Sequence, residues 1–269
     1  MRGVMRNVAR KHATLLVGTL IVLMTSLPAA GHHAMEYIEM ESFGTVRGGE
    51  FVFHLHYDYM VDNTCNPRED HWELTPGLSY GVIDKLMLDV HTHFAKFGPD
   101  LVVEEERAGY EPQGPSPMLE AMAVSLQYPL TDAWLLDIAV AGTVEIPFSD
   151  AERLLGSEDL VYQGVIILGR GFEDHSNVTV NVSYEKEGGE DALSWALGIK
   201  RPISENPHGI AAGVEVMGAD EDIGDNWSVL PGVYMPLGAP NIILKTGLEF
   251  GESDGANTRR ANVTLMYLF

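Results

Sequence analysis

Residues 259 to 269 read Arg259-Arg260-Ala261-Asn262-Val263-Thr264-Leu265-Met266-Tyr267-Leu268-Phe269. Ala261, Val263, Leu265, Tyr267 and Phe269 fall on one side of an extended chain, and Arg260, Asn262, Thr264, Met266 and Leu268 on the other. Successive side chains of a strand point to opposite faces, so this alternation predicts a β-strand with one apolar face.

The same period runs upstream. Phe51, Phe53, Leu55, Tyr57 and Tyr59 oppose Val52, His54, His56 and Asp58; Val178, Val180, Val182 and Tyr184 oppose Asn177, Thr179, Asn181 and Ser183. From residue 48 onward, segments of about ten residues with this pattern are separated by turn residues. They predict strands near 49–60, 69–81, 84–96, 116–128, 132–146, 159–169, 174–185, 191–202, 209–218, 226–236, 240–251 and 258–269.

A soluble sandwich would also alternate, so connection lengths carry the next step. The even-to-odd connections are short and alike, as in Tyr128-Pro-Leu-Thr-Asp-Ala133 and Tyr234-Met-Pro-Leu-Gly-Ala-Pro240. The odd-to-even ones include the longest, 97–115, and carry acid, as in Glu104-Glu105-Glu106 and Asp220-Glu221-Asp222. Short turns on one side and longer polar loops on the other predict an all-β fold: a membrane-spanning antiparallel up-and-down barrel of about twelve strands, with the short turns periplasmic. The mean hydropathy of -0.01 is compatible with this, because only alternate side chains of a barrel wall meet lipid. Trp72, Trp134, Trp195 and Trp227 lie near predicted strand ends, where an interfacial girdle belongs.

Ahead of the barrel, residues 1–31 place Arg2, Arg6, Arg10 and Lys11 before an apolar run from Ala13 to Leu27 and then small residues. This reads as a secretory signal, cleaved after Ala30 or Gly31; the run is shorter than the ~20 apolar residues of a spanning helix. The expected organisation is a signal at 1–31, a periplasmic or plug segment at 32–47, and a barrel at 48–269. The signal holds four of the 17 basic and none of the 39 acidic residues, leaving 13 minus 39, or -26. Such a charge excludes nucleic acid as a partner held through phosphates. The single cysteine, Cys65, excludes an internal disulfide framework and is expected in an exposed loop.

The final strand resembles those of Gram-negative outer-membrane barrels, which close on a C-terminal Phe with an aromatic two residues before it. That resemblance implies an outer-membrane location, contact with lipid and lipopolysaccharide, and recognition by the barrel-assembly machinery. More loosely, the repeated Tyr-(Gly/Pro)-(Leu/Val)-(Thr/Ile)-Asp turns are similar to those of the small channel family typified by the phenol-degradation-pathway outer-membrane transporter.

With the apolar face toward lipid, the first three strands send His54, His56 and Asp58, then His71 and Glu73, then Asp89, His91 and His93 into the lumen. Pairing the second and third strands about Val82 puts His93 opposite His71 and His91 opposite Glu73; the preceding connection puts His56 near Glu73 and Asp58 near His71. Imidazoles and carboxylates together suit a divalent transition metal such as zinc, copper, nickel or iron, and His-x-His on a strand puts both rings on one face. The alternative is a hydrogen-bonded lining that sets the local potential. A second metal possibility is a processed terminus: Gly31-His32-His33 offers an amine, two amides and an imidazole to Cu(II) or Ni(II), and a terminal His32 chelates through amine and ring.

Catalysis has less support in the sequence. There is no Gly-x-Ser-x-Gly elbow, P-loop or dinucleotide fingerprint, and the His residues alternate with the lipid-facing set. The lumenal carboxylates Asp137, Glu145, Glu215 and Glu249 sit mostly on separate strands, where spacing cannot pair them. Ala196, Gly198, Ala211, Gly213, Gly232 and Gly247 make the opposite wall smooth, and residues 32–47 are long enough to plug the space. The sequence therefore predicts a narrow non-enzymatic channel or solute-binding barrel for a small solute, with a cation drawn by the acidic loops and lumen as one candidate. The alternatives are a metal-handling barrel, a non-transporting structural barrel and, last, a lipid hydrolase.

Overall fold

The computed structural model describes residues 37–61, 71–97, 118–131, 136–148, 159–204, 206, 209–220, 225–237, 241–253 and 256–269. The signal region, His32, His33, Cys65 and Trp134 lie outside them. Among the described residues there are twelve strands: β1 (Phe51–Val61), β2 (His71–Ile83), β3 (Leu86–Phe97), β4 (Met118–Thr131), β5 (Asp137–Pro147), β6 (Val161–Gly171), β7 (Asn177–Glu187), β8 (Glu190–Pro202), β9 (Ala211–Asp220), β10 (Asp225–Pro236), β11 (Ile242–Ser253) and β12 (Ala256–Leu268). Each pairs antiparallel with its sequence neighbours, and β1 pairs with β12 to close the barrel. Phe51 and Phe269 exchange backbone hydrogen bonds at 2.9 and 3.0 Å and stack their rings at that seam. Closure leaves no unpaired strand edge, the condition for a sheet to cross lipid.

The predicted faces hold. Val182, Tyr184, Leu193, Trp195, Ile199, Leu248, Phe250, Val263, Leu265 and Tyr267 are exposed on the outer wall, while Asn177, Thr179, Asn181, Asn262 and Thr264 are buried inside. An exposed apolar wall around a polar interior is the inverse of a soluble protein and fits a hydrocarbon surround. The strand ends Val61, His71, Phe97, Met118, Pro147 and Val161, which bound the three longest breaks in the strand series, share one end of the barrel; the start of β1 and the end of β12 lie at the other. There the β6–β7 turn places His175 at φ 60, and Ser176 donates to Asp174 through backbone and hydroxyl, holding that exposed carboxyl below its usual range.

Residues 37–47 lie inside the barrel. Three of their side chains seat in separate apolar pockets: Ile38 against Ala211, Leu230 and Tyr234; Phe43 against Ala139, Val165 and Ile167; Val46 against Val52, Met87 and Met266. Burial of such side chains contributes about 1.5–3 kcal/mol each. Gly49, at φ +87, turns the chain from this segment into β1, and its N–H donates to the Gly81 carbonyl at 2.7 Å.

Candidate functional site: the barrel lumen

The inner wall of β1–β3 carries the predicted His and carboxylate set, but its register differs from the expectation. The β2–β3 hairpin turns at Asp84–Lys85, because Gly81 still pairs with Met87 and Ile83 with Leu86. His91 therefore faces Gly77 rather than Glu73, and His71 faces Phe97 rather than His93. On the other side Asp58 faces Glu73 and His56 faces Thr75, two residues away from the predicted partners.

These shifts divide the set into small groups. His54 on β1 reaches over β2 to Asp89 at 2.9 Å, and His91 approaches the second Asp89 oxygen at 2.6 Å. Ser79 donates to the same carboxylate at 2.6 Å. Gly77 makes this possible, since a Cβ there would lie 2.3 Å from the His54 ring. His56 stands between Glu39 of the inner segment (3.3 Å) and Asp58 (3.5 Å), with Thr264 at 2.8 Å on its other nitrogen. His71 pairs with Glu73 at 3.5 Å, and His93 lies 3.3 Å from Thr75 and 3.8 Å from Glu145. Among the described residues no three His, Cys, Asp or Glu side chains converge in a metal-holding group.

The smooth wall serves the inner segment. An added Cβ at Gly198 would lie 2.3 Å from Tyr37, at Gly232 2.5 Å from Ile38, and at Gly169 1.9 Å from Phe43. Within this cradle Glu215, fully buried on β9, accepts the backbone N–H groups of Ile38, Glu39 and Met40 at 2.7, 2.9 and 3.0 Å, and the Tyr234 hydroxyl at 3.1 Å. Gln127 donates to the carbonyls of Ser42 and Gly44, Asn181 to that of Glu41, and Lys245 to that of Tyr37. Seven backbone polar groups of the segment are thereby satisfied by side chains of β4, β7, β9 and β11, the kind of pairing a buried irregular chain requires. Sequence reasoning named Glu215 only as an isolated carboxylate. The available signal was its setting, a charge on a wall of glycines, where an acceptor needs donors from something that fills the space.

Arg260 on β12 sits at the centre of the remaining charge. Its Nε lies 3.9 Å from Asp58 and 3.8 Å from Glu249. Two cavities flank the segment and share Glu39, Met40, Glu41 and Arg260 as lining. One, of about 480 Å³, opens toward the long-loop end; the other, of about 360 Å³, lies against the His wall. The lumen thus holds two cavities that both reach Glu39–Glu41, and no described strand His lies on the lipid side.

No family model and no curated protein matches the chain. Solved structures that share its fold include an outer-membrane channel from Pseudomonas putida F1 (TM-score 0.56, 10% identity, 87% of this chain and 100% of that one), the NanC porin (0.53, 8%, 80% and 98%) and the KdgM porin in complex with disordered oligogalacturonate (0.51, 11%, 80% and 98%). The closed twelve-strand wall, apolar outside and polar inside, is that of a bacterial outer-membrane barrel.

Proposed function

We propose that this chain is a narrow outer-membrane channel for a small neutral or cationic solute, with residues 37–47 as its constriction. The carrying observation is the pair of cavities that share Glu39, Met40, Glu41 and Arg260 as lining, one toward the loop-bearing end and the other against the His wall. Twelve strands enclose more space than the filled eight-stranded barrels and less than the ~16–18 strands of open porins. Three neighbours of the same fold are channels or porins by name, which supports the reading.

Charge argues about the solute. Oligogalacturonate, named with one neighbour, is a polyanion, whereas Glu39, Asp58, Glu73, Asp89 and Glu249 crowd this lumen. A negative, low-dielectric passage concentrates cations and repels anions. The test is single-channel recording of the full chain in planar bilayers, with reversal potentials in a KCl gradient. Small discrete steps with cation preference are expected; absence of conductance and of solute uptake in every lipid tried would sink the reading and leave a structural barrel.

A further inference from the structure

Across the seam of the barrel the strand register aligns two rows of outward side chains. Toward the loop-bearing end, Ala261, Tyr59, Trp72 and Lys96 are successive partners on β12, β1, β2 and β3; one step nearer the bilayer centre the row is Val263, Tyr57, Leu74 and Phe94. The rings of Tyr57 and Trp72 lie 6.2 Å apart. Tyr and Trp on the outer wall of a barrel mark the membrane–water interface, so Lys96, directly opposite Trp72, stands at headgroup depth. Arg259, exposed, sits two positions beyond Ala261 and above the other end of the same row. The described outward faces of β12, β1, β2 and β3 carry no Asp or Glu, because the acids of these strands, Asp58, Glu73 and Asp89, line the lumen. Neither Lys96 nor Arg259 forms an ion pair with a described carboxylate, although Glu252 on β11 lies diagonal to Arg259. Lys186, outward at the same end on β7, differs: it faces Asp191 directly.

We propose that this face is a docking surface for a phosphorylated glycolipid of the outer leaflet, its phosphates on Lys96 and Arg259 and its acyl chains along Val263, Tyr57, Leu74 and Phe94. Arg pairs a phosphate through two parallel N–H donors and Lys as a point charge. Three strand intervals of ~4.8 Å separate the two cations, so each can hold its own phosphate. A soluble anion would use the cations alone, whereas a lipid also covers the apolar row beneath them. In an acidic chain, two unpaired outward cations at interface depth complement an anionic headgroup layer and no other part of the surroundings. The proposal rests on the outer-membrane location and holds whether or not the barrel conducts.

The test is native mass spectrometry of the folded, delipidated protein in detergent, titrated with bisphosphorylated lipid A. Saturable binding is expected, weakened about fivefold in Lys96→Gln and again in Arg259→Gln. Lys96→Arg should keep the wild-type affinity, which separates lost charge from lost structure. Lys186→Gln, already faced by Asp191, and Arg201→Gln, paired with Asp174 at the periplasmic end, should bind as wild type does. Equal binding of lipid A stripped of its phosphates overturns the proposal, as does displacement of the lipid by millimolar inorganic phosphate. Equal weakening in Lys186→Gln also overturns it, since net charge rather than this face would then govern binding. Unchanged affinity in both Lys96→Gln and Arg259→Gln does the same.

Discussion

Glu215 and Ile38 are 177 residues apart in sequence, and the Ile38 N–H donates to the Glu215 carboxylate at 2.7 Å. The same carboxylate takes the next two amides, so one side chain on β9 fixes three successive residues of the inner segment. In Glu215→Ala those donors lose their acceptor, at roughly 1–3 kcal/mol for each one left unsatisfied. Hydrogen exchange read by mass spectrometry should then rise sharply across 37–47 while the strands stay protected. Unchanged exchange in the segment would show that the apolar pockets alone hold it.

Gly198→Val attacks the same docking by volume. The new Cβ meets the Tyr37 ring and the Met40 sulfur at 2.3 and 2.8 Å, whereas a Cβ at Gly164 meets nothing within 4 Å. Larger single-channel steps are expected from Gly198→Val and wild-type steps from Gly164→Val. Equal conductance in both would remove the segment from the role of constriction.

Ile166 stands mid-strand on the outer wall, 53% exposed between Val140 and Val182. Ile166→Arg should lower stability in lipid by roughly 2–4 kcal/mol, the cost of a cation near the bilayer midplane. Ser183→Arg, on the inner wall by the larger cavity, should cost little and change ion selectivity instead. Urea refolding into vesicles measures the first and reversal potential the second; the opposite pattern would invert the faces.

Metal analysis by mass spectrometry of protein from outer membranes is expected to give well under one zinc, copper or nickel per chain. Asp89 is already shared by His54, His91 and Ser79, and the other imidazoles are divided among separate carboxylates. One metal per chain, lost when His54, His91 and His93 become Ala, would make metal handling the leading function.

Strand number, order and faces were legible because each depends on local alternation: Val178 to Tyr184 point outward for the same reason at every second residue. Register was less legible. Tyr80-Gly81-Val82-Ile83 reads as a turn by its glycine, yet Gly81 and Ile83 remain paired and Asp84–Lys85 make the bend, which moves the β2–β3 partners of His71, Glu73 and His91. The contacts of Tyr37 to Val46 follow no period at all. Their hydrogen-bond partners lie 83 to 208 positions away and become neighbours only through closure of the sheet.

That dependence on closure imposes an order in time. Val46 needs β1, β3 and β12, Phe43 needs β5 and β6, and Ile38 needs β9 and β10. No partial sheet offers all three berths, so the segment can settle only once the circle is joined, although it precedes every strand along the chain. A seated Tyr37–Val46 is therefore a built-in certificate of completed assembly, and a barrel stalled with one gap would leave it unsigned.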